Sequence, residues 1–275
     1  DLVLLPALLQ FILSQGHRWF KFPIHAKSLV MLLSFSFLFS AITPSFSSAA
    51  TAQDDIKALG EKMRVQISSK DETGKIEMTI TEKDGFSKKR ELSYQRLHAG
   101  TSHFTIMRML APKDVKGTAL LSVIKKEQEE KWIYLPGSKQ TRKISTTSDS
   151  GARILDSELY TEDFDLGTIR TATSQITKKE ADGSVVIETK LDNSKSSYSK
   201  SISWIDKDHL LKKAELYDKK GALLKVVQFP KYITVGQNKF RPTTIQIENV
   251  QSKRKTDLAF TAIKVDQGLK EKDFS

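Results

Sequence analysis

The sequence contains no cysteine, which excludes disulfide bonds, thiol catalysis and metal sites with cysteine ligands. It also has no Gly-x-Ser-x-Gly nucleophile motif, no phosphate-binding glycine loop and no dinucleotide fingerprint. Histidine is scarce, with five in 275 residues. His98 and His103 flank a short turn and are predicted to face each other across a hairpin, but two histidines without a third ligand support a metal site only weakly. We therefore expect a protein that is not an enzyme and that needs neither a cofactor nor a metal.

An uncharged, mostly apolar run extends from Leu29 to Ile42 near the start of the chain. Basic residues precede the run, and Pro44 and a series of small residues ending at Ala52 follow it. This order is typical of a secretory signal peptide. We therefore expect residues 1–52 to be an N-terminal extension and a signal peptide cleaved near Ala52, with export to the periplasm. An uncleaved membrane anchor is the alternative, although spanning a bilayer takes roughly 20 apolar residues.

The remainder of the chain begins with a helical pattern and continues with strands. Residues 54–69 are predicted to form a helix capped by Asp54 or Asp55, because Ile56, Leu59, Met63 and Ile67 recur at helical spacing. Beyond that helix, apolar and polar residues alternate, which is the period of a β-strand. The predicted strands cover residues 75–82, 87–97, 103–110, 119–125, 131–135, 139–144, 173–179, 185–191, 198–206, 210–217, 223–233, 240–250 and 255–265.

The connections between these strands are short, which favours antiparallel neighbours, since parallel pairs need longer crossovers. No linker interrupts residues 53–275, so we expect them to form one domain. An apolar sheet face must be covered by another sheet, by helices or by a ligand. With thirteen predicted strands and few helices, the sheet either closes on itself or surrounds a cavity, and the pattern alone leaves both possibilities open.

One acidic and one basic segment of the sequence each allow more than one interpretation. The acidic stretch from Asp156 to Asp165 matches no calcium-binding loop, and we expect its acids to begin short helices, where negative charge is favoured. Lys139, Arg142 and Lys143 form a basic hairpin arm. The arm is either a solvated strand face or a contact for lipid headgroups or an acidic partner. The chain as a whole carries a formal net charge of +11, which is compatible with an anionic membrane surface.

Four segments carry a resemblance to a known family: Gly117-Thr118-Ala119-Leu120-Leu121, Trp132-Ile133-Tyr134-Leu135-Pro136, Arg142-Lys143-Ile144 and Ser157-Glu158-Leu159-Tyr160-Thr161-Glu162-Asp163-Phe164. In this order they resemble the LolA-like outer-membrane lipoprotein-sorting proteins of Gram-negative-type bacteria. The sequence departs from that pattern at Gly137-Ser138, where larger residues are common, and at Lys143, where the pattern has a second arginine. The resemblance implies a mostly β fold, in which a single curved antiparallel sheet forms an incomplete, half-open β-barrel closed by short α-helices.

The resemblance also implies a function. The expected protein is a monomeric periplasmic carrier that binds acyl chains of lipoproteins or lipids in an apolar cavity and moves them between the inner and outer membranes. Its partners would be an inner-membrane export complex and an outer-membrane acceptor, with no nucleic acid. The alternatives are a lipid- or lipoprotein-sensing module of an envelope regulatory or export system and, after that, an envelope lipid hydrolase.

The expected cavity residues are apolar positions on alternating strands, which most β domains would simply use as core. They are Ile76, Met78, Ile80, Leu92, Tyr94, Phe104, Ile106, Trp132, Tyr134, Ile202, Trp204, Ile245, Ile247 and Phe260. The basic residues Lys139, Arg142 and Lys143 are expected to contact headgroups or a partner protein.

Overall fold

The computed structural model describes residues 47–125, 128–144, 153–160, 162–163, 169, 173–192, 194, 196–236 and 239–274. Thirteen strands in this part of the chain form one antiparallel sheet. They are β1 (Asp71–Thr81), β2 (Ser87–Ala99), β3 (Ser102–Ala111), β4 (Ala119–Lys125), β5 (Gln128–Leu135), β6 (Gln140–Ile144), β7 (Ser174–Lys179), β8 (Val185–Lys190), β9 (Lys200–Ile205), β10 (Leu211–Tyr217), β11 (Leu223–Val235), β12 (Lys239–Asn249) and β13 (Arg254–Val265).

The order of strands across the sheet is β6-β5-β4-β3-β2-β1-β13-β12-β11-β10-β9-β8-β7. The first and last strands therefore pair in the middle of the sheet, and every other neighbour in the sheet is a neighbour in sequence. β6 and β7 form the two edges, so the sheet is not closed into a barrel. The prediction of a mostly β protein with one large, open antiparallel sheet is confirmed.

Sharp turns join the neighbouring strands. Gly85 ends the β1–β2 turn with a φ of 89°, and Gly183 occupies the corresponding place between β7 and β8 with a φ of 91°. Side chains other than glycine rarely adopt this left-handed conformation. The Asp-Gly pairs that signalled these turns in the sequence therefore lie where the backbone needs them.

One long helix, α1 (Ser47–Ile67), covers part of the sheet and packs against β12 and β7. The helix itself contributes Ile56, Leu59 and Met63, whose side chains are buried, as their spacing predicted. Two details of that prediction are wrong: Ile67 keeps 42% of its surface exposed, and the helix begins before Asp54 and Asp55, which therefore do not cap it.

A hydrogen bond from the sheet holds the C-terminal end of α1. The Nζ atom of Lys239 in β12 donates a hydrogen bond of 2.6 Å to the carbonyl oxygen of Val65. The last carbonyls of a helix have no partner within the helix, so this contact satisfies one of them.

The signal peptide and its cleavage point, which were predicted for the N-terminal region, both remain predictions. Ala52, the predicted cleavage point, lies within α1, and the apolar run Leu29–Ile42 lies outside the described residues. Among the residues the structure describes, no helix is both long and apolar enough to cross a membrane.

The sheet has two faces, and each carries its own apolar cluster. We call the side against which α1 packs the helix face, and the opposite side the outer face. The helix face holds the main core, which extends from β3 to β12 and continues onto β8, β9 and β10. The outer face holds a smaller cluster around Leu97, Phe104 and Ile106.

The C-terminal segment covers the outer cluster. The carboxylate of Asp71 accepts backbone N–H hydrogen bonds from Gln267, Gly268 and Leu269 at 2.7, 2.8 and 3.1 Å. These bonds hold the segment against the sheet, and Phe274, in a short 3₁₀ helix (Glu271–Phe274), is buried against the ring of Phe104. The outer face is therefore a second, smaller packed core near β2 and β3.

Candidate functional site

The centre of the helix face is apolar. Ile76 of β1 lies opposite Leu92 of β2 and Phe260 of β13, and Met78 lies opposite Leu258. Directly opposed residues in an antiparallel pair point to the same side of the sheet, so these side chains meet. Eight of the residues predicted to line a cavity share this face and pack in or against its core: Ile76, Met78, Ile80, Leu92, Tyr94, Ile245, Ile247 and Phe260. Contact between these residues and a lipid remains a prediction.

The other six predicted cavity residues do not lie on the helix face. Strand pairing places Phe104, Ile106, Trp132, Tyr134, Ile202 and Trp204 on the outer face. For example, Ile106 lies opposite Leu121, which in turn lies opposite Trp132. Their assignment to one cavity together with Ile76 is therefore wrong. The physical reason is that β3 carries apolar side chains on both faces, so its pattern does not say which set points inward.

Part of the accessible apolar surface of the helix face lies on β4 and β5, next to β3. Met107 and Met109 of β3 are buried there, whereas Leu120 of β4 and Ile133 of β5 are only half-buried. Leu120 lies opposite both Met107 and Ile133, so these side chains form a continuous row across three strands. Methionine is unbranched and adapts to irregular neighbours. Leu120 and Ile133 were not among the predicted site residues, although both belong to the segments that carry the family resemblance.

A buried charge cluster fixes the acidic segment to β11. The Nζ atom of Lys225 lies 3.1 Å from Oδ2 of Asp163 and 2.7 Å from the hydroxyl of Tyr198. The hydroxyl of Tyr198 donates to the other oxygen of Asp163 at 2.6 Å, and the ring of Tyr160 lies 3.2 Å from the same Nζ atom. Burial raises the pKa of Asp163 and lowers that of Lys225, because desolvation of the two charges outweighs their mutual attraction.

A second buried pair fixes the same segment to β13. The carboxylate of Glu158, which is fully buried, accepts hydrogen bonds of 2.8 Å from Arg254 and from Asn249. Arg254 also makes two hydrogen bonds to Glu82, at 2.7 and 2.9 Å, which raise the pKa of Arg254 and lower that of Glu82. The expectation that these acids begin short helices is wrong for Glu158, which lies in a bend and is paired and buried. Asp163 lies in a short 3₁₀ stretch with Glu162, and its Oδ2 atom accepts a hydrogen bond of 2.8 Å from the backbone N–H of Tyr160.

The two pairs have one structural consequence. They tie Glu158 and Asp163 to β13 and β11, the two strands that flank β12 in the sheet, so these two acids have fixed places on the helix face. The acidic-aromatic motif was visible in the sequence, but its basic partners Lys225 and Arg254 are remote along the chain. Nothing in a single sequence joins them to the motif.

A third polar network lies at the opposite end of β1. Glu72 accepts a hydrogen bond from Arg241 and a second one, of 2.6 Å, from the hydroxyl of Tyr94. Arg241 also reaches the hydroxyl of Ser69 at 2.8 Å. Burial and the negative charge of Glu72 raise the pKa of Tyr94. The Tyr94 ring crosses directly over Gly74, where an added Cβ would lie 2.6 Å from it, so glycine makes room for the aromatic ring.

The two histidines face each other as expected. His98 lies opposite His103 across the β2–β3 hairpin, and their Nδ1 atoms are 2.6 Å apart. Partial desolvation, with the charges of His103 and Arg96 beside it, lowers the pKa of His98. In the described part of the chain, no group of three or more histidine, aspartate or glutamate side chains could hold a metal ion.

The basic residues of the β5–β6 hairpin are exposed but do not share one face. Arg142 lies opposite Ile133, which belongs to the helix face, whereas Lys143 lies opposite Trp132 on the outer face and pairs with Glu130. Lys139 lies in the turn that precedes β6. The three basic residues therefore lie in or next to β6, an edge strand of the sheet, but do not form one charged face. Their contact with headgroups or a partner remains a prediction.

An open antiparallel sheet with one helix packed on one face is the LolA-like fold, a fold of lipoprotein-sorting and lipid-binding proteins. Residues 101–275 match the model of a family whose description reads "Uncharacterized protein". Because the match spans more than half of the chain, the protein belongs to this family, and its fold is LolA-like.

Solved structures agree with that assignment. A DUF1329 family protein from Desulfovibrio piger is 22% identical with a TM-score of 0.73, covering 82% of this chain and 97% of its own. A domain from Vibrio parahaemolyticus named for outer membrane lipoprotein sorting is 26% identical with a TM-score of 0.71, covering 81% and 97%. A LolA superfamily protein from Nitrosomonas europaea is 21% identical with a TM-score of 0.61, covering 80% and 97%. No curated protein matches the sequence.

Proposed function

We propose that the protein is a periplasmic carrier that binds acyl chains of lipids or lipoproteins on the helix face and moves them between the inner and outer membranes. The observation that carries this proposal is the apolar row of Met107, Leu120 and Ile133 on the helix face of an open sheet, in which Leu120 and Ile133 are only half-buried. The proposal moves the site away from the fully buried residues of β1, such as Ile80, which are packed core.

The energetics require a carrier of this kind. Transfer of an acyl chain from water to an apolar site is worth about 0.8 kcal/mol per CH₂ group. A chain of about sixteen carbons therefore resists crossing an aqueous compartment by on the order of 12 kcal/mol. A carrier must shelter most of that surface and still release it, and half-buried residues beside flexible methionines suit both requirements.

The exposed basic hairpin supports contact with membranes or partners during transfer. Lys139 and Arg142 are exposed at one edge of the sheet, next to the row that includes Ile133. We propose that these charges meet anionic headgroups, or acidic faces of an inner-membrane export complex and an outer-membrane acceptor.

Two measurements test the carrier role. Organic extraction of the purified protein, followed by mass spectrometry, is expected to yield bound lipid or acylated peptide. Transfer of a radiolabelled acyl ligand from donor to acceptor vesicles is expected to accelerate when the protein is added. A protein that binds ligand but does not accelerate transfer would contradict the carrier role and favour a lipid-sensing module.

A further inference from the structure

Arg90 stands apart from the other basic residues of the helix face. It lies in β2 directly opposite Met78, so its side chain points to the helix face. Its Nε atom is buried and has no hydrogen-bond partner among the residues the structure describes. Buried donors in folded proteins nearly always have an acceptor, and an exception calls for an explanation such as an ion or a ligand.

The carboxylates at this end of the sheet are already engaged. Lys88, the preceding residue of β2 on the same face, lies 3.2 Å from Asp156 and 3.6 Å from Glu82. Arg254 binds Glu82 and approaches Asp156. Lys88 and Arg254 are therefore paired with acids of the chain. Arg90 is near enough for its charge to help lower the pKa of Asp156, but its buried Nε atom has no hydrogen-bond acceptor among the described residues.

The order of side chains along β2 then changes from charged to apolar. Arg90 is followed on the helix face by Leu92, which lies opposite Met109 of β3. From there the apolar row continues through Met107 to Leu120. Leu92, Met109 and Met107 are themselves buried, whereas Leu120 is half-buried. An amphipathic molecule with its anionic head at Arg90 would therefore follow this row to the accessible apolar surface at Leu120.

We propose that Arg90 binds the anionic head of an acyl lipid, a carboxylate or a phosphate, whose chain lies along the row from Leu92 to Leu120. This inference rests on the proposed function and narrows its ligand class. An acyl chain joined through an ester or amide to an uncharged group would give Arg90 no anion, so anionic lipids are preferred over neutral ones. Arginine suits the task because its planar donors match the geometry of both anions.

Three ligands with the same sixteen-carbon chain test the proposal: palmitate, palmitoyl-lysophosphatidylglycerol and monopalmitoylglycerol, below their critical micelle concentrations. The full chain, stripped of endogenous lipid, is expected to bind the two anionic ligands more tightly than the neutral one in calorimetry. Arg90→Gln should weaken one or both anionic ligands about ten- to hundredfold, the range for hydrogen bonds to charged groups, and leave monopalmitoylglycerol within about twofold. If the affinity for palmitate falls in Arg90→Gln, Arg90 binds a carboxylate head. If the affinity for palmitoyl-lysophosphatidylglycerol falls, Arg90 binds a phosphate head.

Lys89→Gln is the matched control, because Lys89 is the next residue along β2, is exposed and lies on the outer face opposite Thr79. It removes the same charge and should change none of the three affinities. The inference is overturned if Arg90→Gln weakens all three ligands equally or none of them. If the wild-type protein binds no acyl ligand, the proposed function fails as well.

A comparison that needs no variant guards against a folding defect in Arg90→Gln. The wild-type protein should favour palmitate over monopalmitoylglycerol at low ionic strength, and the preference should persist at 0.5 M salt, because a buried contact is screened little. Equal affinities for the charged and neutral ligands would overturn the inference while leaving acyl-chain binding intact.

Discussion

Lys225 and Asp163 form an ion pair in which neither side chain has any exposed surface. The pair joins the acidic-aromatic segment to β11, and the hydroxyl of Tyr198 completes its hydrogen bonding. A buried charge is tolerated only with such partners, because the cost of leaving water is large. The pair therefore makes the position of this segment on the helix face depend on two residues far apart in sequence.

Removal of one member of that pair should be strongly destabilising. Lys225→Met leaves Asp163 buried without its cation, and we expect the free energy of unfolding to fall by roughly 3–5 kcal/mol in urea titrations. The double variant Lys225→Met/Asp163→Leu should lose much less than the sum of the two single variants. Lys219→Met, in an exposed turn, is the control and should stay within about 0.5 kcal/mol of wild type. Additive losses would contradict the coupling.

Charge reversal at the basic hairpin should weaken membrane contact. Each basic residue near an anionic surface contributes about 1 kcal/mol, so Lys139→Glu/Arg142→Glu should lower the affinity for phosphatidylglycerol vesicles by at least about tenfold. Co-sedimentation measures this. Lys219→Glu/Lys220→Glu makes the same change of net charge in the turn between β10 and β11 and should have a much smaller effect. Equal losses in both variants would mean that only net charge matters.

The lowered pKa of His98 predicts a pH dependence of stability. Histidine in an unfolded chain has a pKa near 6.5, so the unfolded state binds the proton more readily than the folded state does. The contribution of His98 to stability should therefore be present above about pH 6.5 and be lost as the pH falls. Desolvation of the His98 ring is the main physical reason, and the contact with His103 adds to it, since two protonated rings would repel each other.

Urea titrations at pH 7.5 and 5.5 check this expectation. His98→Gln should reduce the loss of stability between the two values, whereas His209→Asn, in the turn between β9 and β10, should not. An unchanged pH dependence in His98→Gln would show that other groups cause it.

Much of the fold could be predicted because strand alternation and Asp-Gly turns are local signals. The predicted limits of the strand from Ala119 to Lys125 agree with those observed for β4. The face of the sheet to which a side chain points is not given by a local signal. Phe104 and Met107 are both apolar, and only the register with β2 and β4 shows that they point to opposite sides. Sequence patterns specify a face only when the opposite one is polar.

The functional residues were harder to predict for a different reason. Lys225 and Arg254 look like any other lysine and arginine of a basic chain, and their roles come from partners roughly 60 to 100 residues away. Arg90 is similar, because only the folded protein shows that its Nε atom has no acceptor among the described residues. The resemblance to a known family led to the functional hypothesis, whereas the choice of individual site residues required the pairing of strands.

The central claim is that acyl chains bind on the helix face, and two adjacent leucines test it most directly. Leu120 and Leu121 are both half-buried, but Leu120 lies on the helix face and Leu121 on the outer face. In titrations with a fluorescent acyl ligand, Leu120→Gln should weaken binding by about tenfold or more, since it removes an apolar contact and introduces a polar group, whereas Leu121→Gln should leave affinity within about twofold. If Leu121→Gln weakened binding and Leu120→Gln did not, the ligand would occupy the outer face and the account would be contradicted.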